Sequence, residues 1–551
     1  MRHIHIKSDF SKFFGHIVVS AAKDDILKNM SKYQIATKPG HRPQELLYIL
    51  KSVIALYNML GKAIIIQMWD LSKFFDKESL TDCLNELYKS NIKGKLYRLL
   101  YSMNRNTKIS VDTPVGLTYE TDRGEGVGQG TLEGALVSAA NLDSGVRDCF
   151  QNSEHEVSYG GLGLGPIMYQ DDVSRLADSI EAAQAGNDRM LTLAETKVLD
   201  YNLDKSCFMI VGKKKPTEVI ERQLVENQLS LCGVPMKREE CANYLGDWLS
   251  CRGLADSVAL TVKKRTGLTK MAKFETRAII DDCRSTICGG LVAGITLWES
   301  AILPSLLYNS ECWLDMSNST LQQLESLQLL FYRVLLSVGT GCPIPALYWD
   351  TGALLMKYRI LKRKLLLLHH IATLPANSLA NQVYEVQSQL QLPGLQDECN
   401  EFLIKTGVTD IRNYSKQQWK SFLRRKISDL NEQEILTMMS KYKKIKADDY
   451  KSESCQIQSY MKTLNIKDAR MRFKIRAQMT PTVQMNFMSD PVFTENLWSC
   501  QGCLGTDACR DTQTHILTCE GYSDLRINKN LDSDKGLVDY FDAVIRRRMN
   551  S

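Results

Sequence analysis

Two apolar segments of this sequence each run directly into aspartate. The β-branched run from Lys62 to Asp70, KAIIIQMWD, predicts a buried strand that ends at a carboxylate. The second segment, IMYQDDV, carries Asp171 and Asp172 among apolar residues and predicts a short hairpin with both acids at its tip. Carboxylates in apolar surroundings are costly unless a cation or hydrogen bonds compensate them. These acids are therefore candidates for a cation site.

A pair of magnesium ions would compensate such acids. Magnesium prefers oxygen ligands and binds through one or two carboxylates together with the phosphates of a substrate. Two such ions lying close together can activate an attacking hydroxyl and stabilise a leaving pyrophosphate. The alternative is a type I turn, in which Asp-Asp is common, and residue type alone favours the turn. The neighbouring motifs have to decide between the two.

The first half of the chain has a mixed pattern of predicted helices and strands, which indicates an α+β fold. Apolar spacing predicts helices over Leu46–Leu60, Ser79–Tyr88, Gly94–Met103, Leu132–Phe150 and Ser179–Tyr201. Strands are predicted over Lys108–Val111, Leu117–Thr121 and Cys207–Val211. The glycine-rich segment from Gly160 to Gly165 precedes a strand and does not open a helix, so we interpret it as a flexible connection rather than a phosphate-binding loop.

From about Ser257 onward the pattern becomes mostly helical, with apolar residues at helical spacing over Thr296–Leu307, Leu321–Val338 and Leu354–Ile371. A length of 551 residues predicts several domains, and a net charge of +6 is compatible with a nucleic-acid partner without requiring one. Most of the 16 cysteines are scattered singly, as in reduced intracellular proteins. With no secretory signal and no membrane-spanning apolar run, we expect an intracellular protein of the nucleus or cytoplasm with no membrane partner.

The last part of the chain contains cysteine and histidine at metal-ligand spacing. Cys500-x-x-Cys503 is followed by His515-x-x-x-Cys519, and Cys509 lies between the two pairs. Two thiolates on a turn and a His/Cys pair on one helical turn can converge on zinc, and four such ligands leave no open position. We therefore predict a structural zinc site; the alternative is a set of unrelated cysteines.

A polar, basic stretch between about Tyr414 and Lys474 precedes this tail. Near its start, aromatic residues interleave with basic ones: Tyr414, Trp419, Phe422, Arg424, Arg425 and Lys426. This arrangement suits RNA contact by stacking and phosphate pairing. Runs of charge are more often solvated faces, and that alternative stays open.

A series of short motifs surrounds the aspartates. In chain order they are Arg2-His3-Ile4 through Ser11-Lys12-Phe13-Phe14, Gln34 through Arg42, Asp70-Leu71-Ser72-Lys73-Phe74-Phe75-Asp76, Gly126-Val127-Gly128-Gln129-Gly130, Tyr169-Gln170-Asp171-Asp172, Asn202-Leu203-Asp204-Lys205-Ser206 and Tyr244-Leu245-Gly246. In this order and spacing they resemble the motifs of reverse transcriptases from non-LTR (LINE-type) retrotransposons. The chain departs from that pattern at Phe74, where alanine is usual, and at Gly128 and Glu133-Gly134-Ala135.

The resemblance implies roles for individual residues. Asp70, Asp171 and Asp172 would hold two Mg²⁺ ions, with the backbone at Leu71 near the first ion. Phe75 would select deoxynucleotides, although a core phenylalanine is an equal alternative. Gln129 and Gly130 would lie against the template–nucleotide pair, and Lys12 and Arg42 would contact the incoming nucleotide or the template. Lys205 would protonate the pyrophosphate as a general acid, and the alternative is an ordinary surface lysine.

The resemblance also implies an architecture. The fold would be α+β, a right-hand polymerase (fingers and palm) followed by an all-helical thumb-like region and a small zinc-knuckle module. The implied domains are partial fingers at 1–45, a palm at 46–250, a helical thumb region at 251–380, a basic helical linker at 381–490 and a CCHC-like zinc knuckle with a tail at 491–551.

The function that the resemblance implies is RNA-directed DNA synthesis on an RNA template and DNA primer from deoxynucleoside triphosphates. The chain shows no nuclease of its own, so a separately encoded endonuclease is an expected partner, and the chain is expected to be a fragment or decayed copy of an element. The main rival is a catalytically inactive nucleic-acid-binding remnant of a retroelement. An intron maturase is a weaker rival, because it gives no reason for the terminal knuckle.

Overall fold

The structure of the protein is a computed structural model. It describes residues 8–105, 108–122, 126–128, 130–151, 156–267, 290–442, 445, 450, 453–480, 500, 502–503, 512–527 and 529–550. The chain divides into two compact units. The first comprises Met1–Thr261, Asn309–Met316 and Lys364–Trp419, and the second comprises Val262–Tyr308, Ser317–Arg363 and Lys420–Ser551. The domain boundaries expected from the sequence stay a prediction.

The described strands all lie in the first unit. They are β1 (Ile64–Trp69), β2 (Lys108–Ile109), β3 (Asp112–Thr113), β4 (Gly116–Leu117), β5 (Thr121–Asp122), β6 (Val157–Tyr159), β7 (Leu162–Leu164), β8 (Ile167–Tyr169), β9 (Asp172–Ala177), β10 (Cys207–Val211), β11 (Ser230–Leu231), β12 (Val234–Pro235), β13 (Lys237–Arg238), β14 (Cys241–Tyr244) and β15 (Asp247–Ser250). The predicted strands around Pro114 form two short antiparallel pairs, β2 with β5 and β3 with β4.

A five-stranded sheet in the order β13-β10-β1-β9-β8 forms the centre of this unit. Its neighbouring strands are antiparallel except for β10 and β13, which are parallel. The middle strand β1 is buried along its whole length. This burial is what a continuous β-branched apolar run predicts, because strands flank it on both sides and helices cover the sheet.

Eight helices between residues 9 and 226 accompany this sheet in the described part of the first unit. They are α1 (Asp9–Asn29), α2 (Gln44–Met59), α3 (Phe74–Lys77), α4 (Leu80–Lys89), α5 (Gly94–Asn104), α6 (Leu132–Phe150), α7 (Ile180–Lys197) and α8 (Lys214–Glu226). The hydroxyls of Ser79, Thr131 and Ser179 cap α4, α6 and α7 by accepting backbone N–H groups of the first turn. These caps explain why the predicted helices begin where they do.

Two apolar cores support the first unit. One core combines β1, β9 and β10 with α6, α7 and α8, and includes Trp69, Val173 and Phe208. The other combines α1, α4, α5 and α6, and includes Val18, Leu84 and Leu136. Because α6 contributes to both cores, its whole length is held in place beside the sheet.

The glycine-rich segment 160–165 is not the flexible connection that we expected, and that interpretation is wrong. Strands β6 and β7 pair antiparallel around a two-residue turn at Gly160 and Gly161. Both glycines have positive φ, 56° and 94°, as a type I′ hairpin turn requires. The pattern was misleading because the glycines serve a tight turn, where a side chain would be strained.

The described part of the second unit is helical, as the sequence predicts. Together with the later helices of the first unit, its elements are Gly290–Leu297, a π-helical turn at Trp298–Ile302, Leu303–Leu306, Asn318–Leu336, Ile344–Thr351, Met356–Ala372, Leu379–Leu390, Leu395–Thr406, Lys416–Met439, Ser459–Thr463, Ile466–Arg476, Gln513–Thr518, Ser523–Arg526 and Asp534–Asn550. Among the described helices, none combines the length and apolarity that crossing a membrane would need.

One expected RNA contact is wrong. The indole of Trp419 is 1% exposed, so it cannot stack on a nucleic-acid base. Its Nε1–H donates to the carbonyl of Leu365 at 3.0 Å, and its ring stacks on His369 at 5.7 Å between centroids. Trp419 is therefore a core residue of the first unit, whereas Arg424 and Arg425 are exposed and keep the alternative of a solvated basic face.

Candidate functional site

The ends of β1 and β9 bring two of the predicted acids together. In the antiparallel pairing, Trp69 lies opposite Val173. Asp70 directly follows Trp69 and Asp172 directly precedes Val173, so the two acids come next to this last pair of the ladder. Two carboxylates that are 102 positions apart in sequence therefore share one edge of the sheet.

The hairpin between β8 and β9 presents Asp171 and Asp172. Tyr169 pairs with Asp172, so Gln170 and Asp171 form a two-residue turn. Gln170 has a φ of 59°, whereas the corresponding residue of a type I turn has a negative φ. The turn is therefore not of type I, because a positive φ at the first turn residue is the pattern of a type II′ hairpin; the acids lie at a tight turn in either case.

A cleft of about 370 Å³ opens beside this edge. Asp70 and Asp172 line it together with Asp204 and Glu239, and Lys205 is the basic residue among its described lining residues. Asp171 is half-buried at the tip of the hairpin and is not among those lining residues. Carboxylate oxygens that converge in an open, acidic cleft are the kind of donor set that Mg²⁺ accepts.

The segment from Asn202 to Ser206 is tied to the backbone of Asp70. The Asn202 N–H donates to the Asp70 carbonyl at 2.8 Å, and the Asp70 N–H donates to the Ser206 hydroxyl at 3.0 Å. These bonds bring Lys205 to the cleft, where its Nζ lies 3.9 Å from Oδ2 of Asp70. The contacts give a physical reason for the N-x-x-K-S spacing, since its first and last residues hold the strand end that carries the acid.

Leu71 continues from Asp70 and pairs with Tyr201. The flanking bonds run from the Ser72 N–H to the Asp200 carbonyl and from the Asn202 N–H to the Asp70 carbonyl. In that pattern the peptide groups of Leu71 itself face the other side of the strand. That side is the one on which β9 pairs with β1, and β9 carries Asp172.

Phe75 lies half-buried after α3 begins, packed partly against the core beneath the sheet. Its carbonyl accepts a hydrogen bond of 2.7 Å from the Val127 N–H, so the glycine-rich motif starts beside it. Gln129 lies outside the described residues. Gly130 is exposed with a φ of 93°, a conformation that favours glycine. The structure thus brings the start of the Q-G motif next to Phe75.

Lys12 and Arg42 are not among the described residues that line this cleft. Lys12 lies on α1 with an exposed side chain that pairs with Asp9 at 3.2 Å. Arg42 precedes α2, and its backbone N–H donates to Glu45 at 2.9 Å. Their predicted contacts with a nucleotide or template stay a prediction.

A second hairpin, β14 and β15, forms another wall of the cleft and was only partly anticipated. Its turn residues Leu245 and Gly246 both have positive φ, 49° and 80°, as in a type I′ turn. Tyr244 and Trp248 line the cleft from this hairpin. The hydroxyl of Tyr244 lies 2.8 Å from that of Ser174, and burial together with the charge of Asp172 raises the pKa of Tyr244.

The turn end of this hairpin is anchored by a buried ion pair that sequence inspection missed. Lys51 Nζ lies 2.5 Å from Oδ2 of Asp247, and both side chains are 1% exposed. The indole N–H of Trp313 donates to the other oxygen of Asp247 at 3.2 Å. A buried pair is stable only when its remaining hydrogen-bonding capacity is satisfied. The one available signal was Lys51 inside an otherwise apolar helix.

The predicted zinc ligands of the second unit converge. One ligand atom from each of Cys500, Cys503, His515 and Cys519 lies within 4.8 Å of every other. Cys503 Sγ lies 3.2 Å from Nε2 of His515 and 3.0 Å from Sγ of Cys519. This group could hold a metal such as zinc, because four nitrogen and sulphur donors at this spacing suit a closed tetrahedral site. Cys509 lies outside the described residues.

Close packing surrounds the cysteine and histidine cluster. The Gly502 N–H donates to Cys500 Sγ at 3.3 Å, and a Cβ on Gly502 would approach the Tyr522 ring to 2.7 Å. The hydrogen bond with the Cys519 thiol, together with burial, raises the pKa of Cys503. A cation at the centre would reverse that preference by favouring the thiolates. The cluster thus has four donor atoms close together, and only glycine fits beside them at position 502.

No protein-family model matches the sequence, and no curated protein matches it either. Solved structures with some similarity include telomerase from Candida tropicalis with a TWJ fragment of telomeric RNA, at a TM-score of 0.31, 10% identity and coverage of 74% of this chain and 56% of that one. Telomerase from Candida albicans with such a fragment has a TM-score of 0.31, 12% identity and coverage of 68% and 56%.

Apo telomerase from Candida tropicalis gives similar values, a TM-score of 0.31, 9% identity and coverage of 67% of this chain and 61% of that one. The chain therefore spans less than two thirds of the length of these telomerase chains. TM-scores this low do not support an assignment of fold or activity.

Proposed function

We propose that this chain is an RNA-directed DNA polymerase of the kind found in non-LTR retrotransposons, with its catalytic centre at the Asp70–Asp172 edge. The single observation that carries the proposal is that Asp70 and Asp172, at the ends of the paired strands β1 and β9, line one cleft together with Lys205. The motif order in the sequence supports the retroelement class. Right-hand polymerase architecture, with a palm around the sheet, is part of the proposal.

In this proposal Asp70, Asp171 and Asp172 hold the magnesium ions. When bound, such ions supply an activated 3′-hydroxyl and charge stabilisation for the leaving pyrophosphate. The Leu71 peptide, which faces β9, adds a backbone oxygen beside the acids. The contacts of Asp70 with Asn202 and Ser206 keep its carboxylate at the end of β1 while substrate binds.

Lys205 supplies a positive charge beside these carboxylates. Its ammonium group lies 3.9 Å from Asp70 in an exposed position, where it can reach a phosphate in the cleft. We assign it the protonation or neutralisation of pyrophosphate, a role in which a positioned acid accelerates departure of the leaving group. We assign contact with the nucleotide and its template base to Phe75, Gln129 and Gly130. We assign contact with the incoming nucleotide or template to Lys12 and Arg42.

The implied partners are an RNA template, a DNA primer and deoxynucleoside triphosphates. The β14–β15 hairpin, with Tyr244 and Trp248 on the cleft, is proposed to contact the primer. The cysteine and histidine cluster is proposed to hold a structural Zn²⁺ in a knuckle. A separately encoded endonuclease as partner, and action in the nucleus or cytoplasm, complete the proposal for a mobile element.

Primer extension tests the proposal directly. Purified protein is supplied with poly(rA)/oligo(dT), dTTP and Mg²⁺, and incorporation is compared between wild type, Asp70→Asn and Asp171→Ala. Asp178→Asn is the matched control, because Asp178 is exposed and follows the far end of β9. We expect incorporation by wild type and the control only. A folded wild-type protein without incorporation would favour the inactive remnant, and equal incorporation by all variants would refute the site.

A further inference from the structure

The side chain of Gln34 makes contacts that none of the assigned site residues makes. Gln34 is completely buried, at 0% exposed. Its Nε2 donates to the carbonyl of Gln170 at 3.2 Å, and its Oε1 accepts from the N–H of Gln170 at 3.1 Å. One amide thus holds both backbone polar groups of the residue that opens the aspartate turn.

The backbone around Gln34 explains how the amide reaches this turn. The Ile35 N–H donates to the Met168 carbonyl at 3.0 Å, and the Met168 N–H donates to the Tyr33 carbonyl at 2.9 Å. Gln34 therefore pairs in parallel with Met168 on the outer side of β8. The side chain extends this pairing two residues further, from Met168 to Gln170, beyond the end of the strand.

The turn has a physical need for such support. Gln170 holds a φ of 59° in a position where glycine is the usual residue, and a non-glycine side chain there is strained. Its own side chain adds a third restraint, since Nε2 donates to the Ala135 carbonyl on α6 at 2.8 Å. Asp171 and Asp172 follow directly, so rotation of the Gln170 peptide would displace both carboxylates.

We propose that Gln34 is a positioning residue that holds the Gln170–Asp171 turn in its metal-binding conformation. The inference rests on the proposed function, because it concerns the acids assigned to catalysis. Gln34 touches no substrate in this role. It acts by fixing a strained peptide, and small displacements of reacting groups are expensive in rate.

The test replaces Gln34 with leucine, which keeps the volume and leaves the Gln170 N–H and carbonyl without this partner. Hydrogen–deuterium exchange of the peptide covering 166–174 reports the turn without requiring activity. We expect exchange there to be about tenfold faster, as loss of buried hydrogen bonds predicts. The Mg²⁺ concentration for half-maximal primer extension should rise by about the same factor, whereas the KM for dTTP should change less.

Two further variants separate positioning from general instability. Gln387→Leu is the matched control, because Gln387 is 1% exposed in the same unit and bonds to Tyr48 and Tyr159 instead of the turn. It should leave exchange at 166–174 and the Mg²⁺ requirement unchanged. Adding Gln170→Gly to Gln34→Leu should restore both readouts in part, because glycine adopts a positive φ without strain and this relief outweighs the lost bond from Gln170 to Ala135.

The outcomes are distinguishable from those of the proposed function. Faster exchange in Gln34→Leu, with rescue by glycine, supports the positioning role even if wild type extends no primer, in which case only the polymerase proposal fails. Unchanged exchange and an unchanged Mg²⁺ requirement in an active Gln34→Leu variant overturn the positioning role and leave the polymerase proposal standing. Equal effects of Gln34→Leu and Gln387→Leu also overturn it.

Discussion

The two candidate metal centres of this protein are built in opposite ways. The carboxylates at the sheet edge come from Asp70 and Asp172, which are distant in sequence, and they face an open cleft. The thiols and imidazole come from the segment between Cys500 and Cys519, and the two terminal cysteines are 1% and 2% exposed. One site has hard oxygen donors with room for a substrate, and the other has soft donors with none.

Because of this difference, we expect mutations at the two sites to have different effects on activity and on stability. An open carboxylate site can lose a donor without losing its fold, because its side chains are partly solvated. A closed four-ligand site contributes to folding outright, because its ligands have no other way to be satisfied in the core. Variants at the sheet edge should therefore change activity alone, whereas variants at the cysteine and histidine cluster should change stability first.

The largest expected effect is at the sheet edge. Asp70→Asn removes a charged ligand while keeping its shape, and primer extension should fall by about a thousandfold. The Asp70 side chain is 36% exposed, so the melting temperature should stay close to wild type. Steady-state kinetics and thermal denaturation measure the two quantities on the same preparation. If the melting temperature fell enough to explain the lost activity, the expected difference between the open carboxylate site and the closed cysteine and histidine cluster would be refuted.

Lys205→Ala is expected to have the next largest effect. Removal of a general acid should lower the rate of primer extension by about a hundredfold. The Lys205 side chain is 66% exposed, so thermal stability should again be unaffected. Lys213→Ala serves as the control, because Lys213 is also exposed and is not among the described residues that line the cleft. Equal rates for the two variants would show that Lys205 is an ordinary surface lysine with no role in the reaction.

Cys519→Ser tests the other side of the comparison. Loss of one buried ligand should lower the free energy of unfolding of the terminal segment by about 2 kcal/mol. Zinc content by mass spectrometry should fall in parallel, and exchange in the peptide 512–527 should accelerate. Cys399→Ser is the control for a buried cysteine outside the cluster. Full zinc content in Cys519→Ser would show that this residue is not a ligand.

Tyr244→Phe is expected to have the smallest effect, and it tests whether a residue lining the cleft affects stability and primer binding without affecting the metal ions. It removes the hydroxyl that lies 2.8 Å from Ser174, and should cost about 1 kcal/mol of stability. Because Tyr244 lines the acidic cleft, the apparent KM for the primer should rise slightly while the Mg²⁺ requirement stays constant. A shift in Mg²⁺ requirement instead would place Tyr244 among the groups that support the ions.

Much of the local structure could be predicted from short sequence patterns. The strand ending at Asp70, the helix Leu132–Phe150 and the strand Cys207–Val211 were predicted to within two residues of their observed bounds. The spacing of Cys500, Cys503, His515 and Cys519 predicted a convergence that the ligand-atom distances confirm. These features succeed because periodicity and helical spacing act over a few residues.

Other features could not be predicted because they depend on partners distant in sequence. Trp419 was interpreted as a base-stacking residue, yet His369 and Leu365 bury it. The glycines at 160 and 161 are a different case, because β6 and β7 are neighbours in sequence and a Gly-Gly pair is a local hairpin signal that we misinterpreted. No local pattern announced that Asp247 would be buried against Lys51, or that Gln34 would bond to Gln170.

The sequence by itself singled out the candidate site residues: three aspartates, one lysine and four nitrogen and sulphur ligands, each at a spacing with a local physical reason. Only the tertiary structure decided which of these residues meet. The pairing of β1 with β9 brings Asp70 and Asp172 to the same end of the sheet, and Gln34 bonds to Gln170 in the turn that carries Asp171. Strand pairing and buried hydrogen bonds join residues regardless of their separation along the chain, so the spacing of motifs cannot specify them.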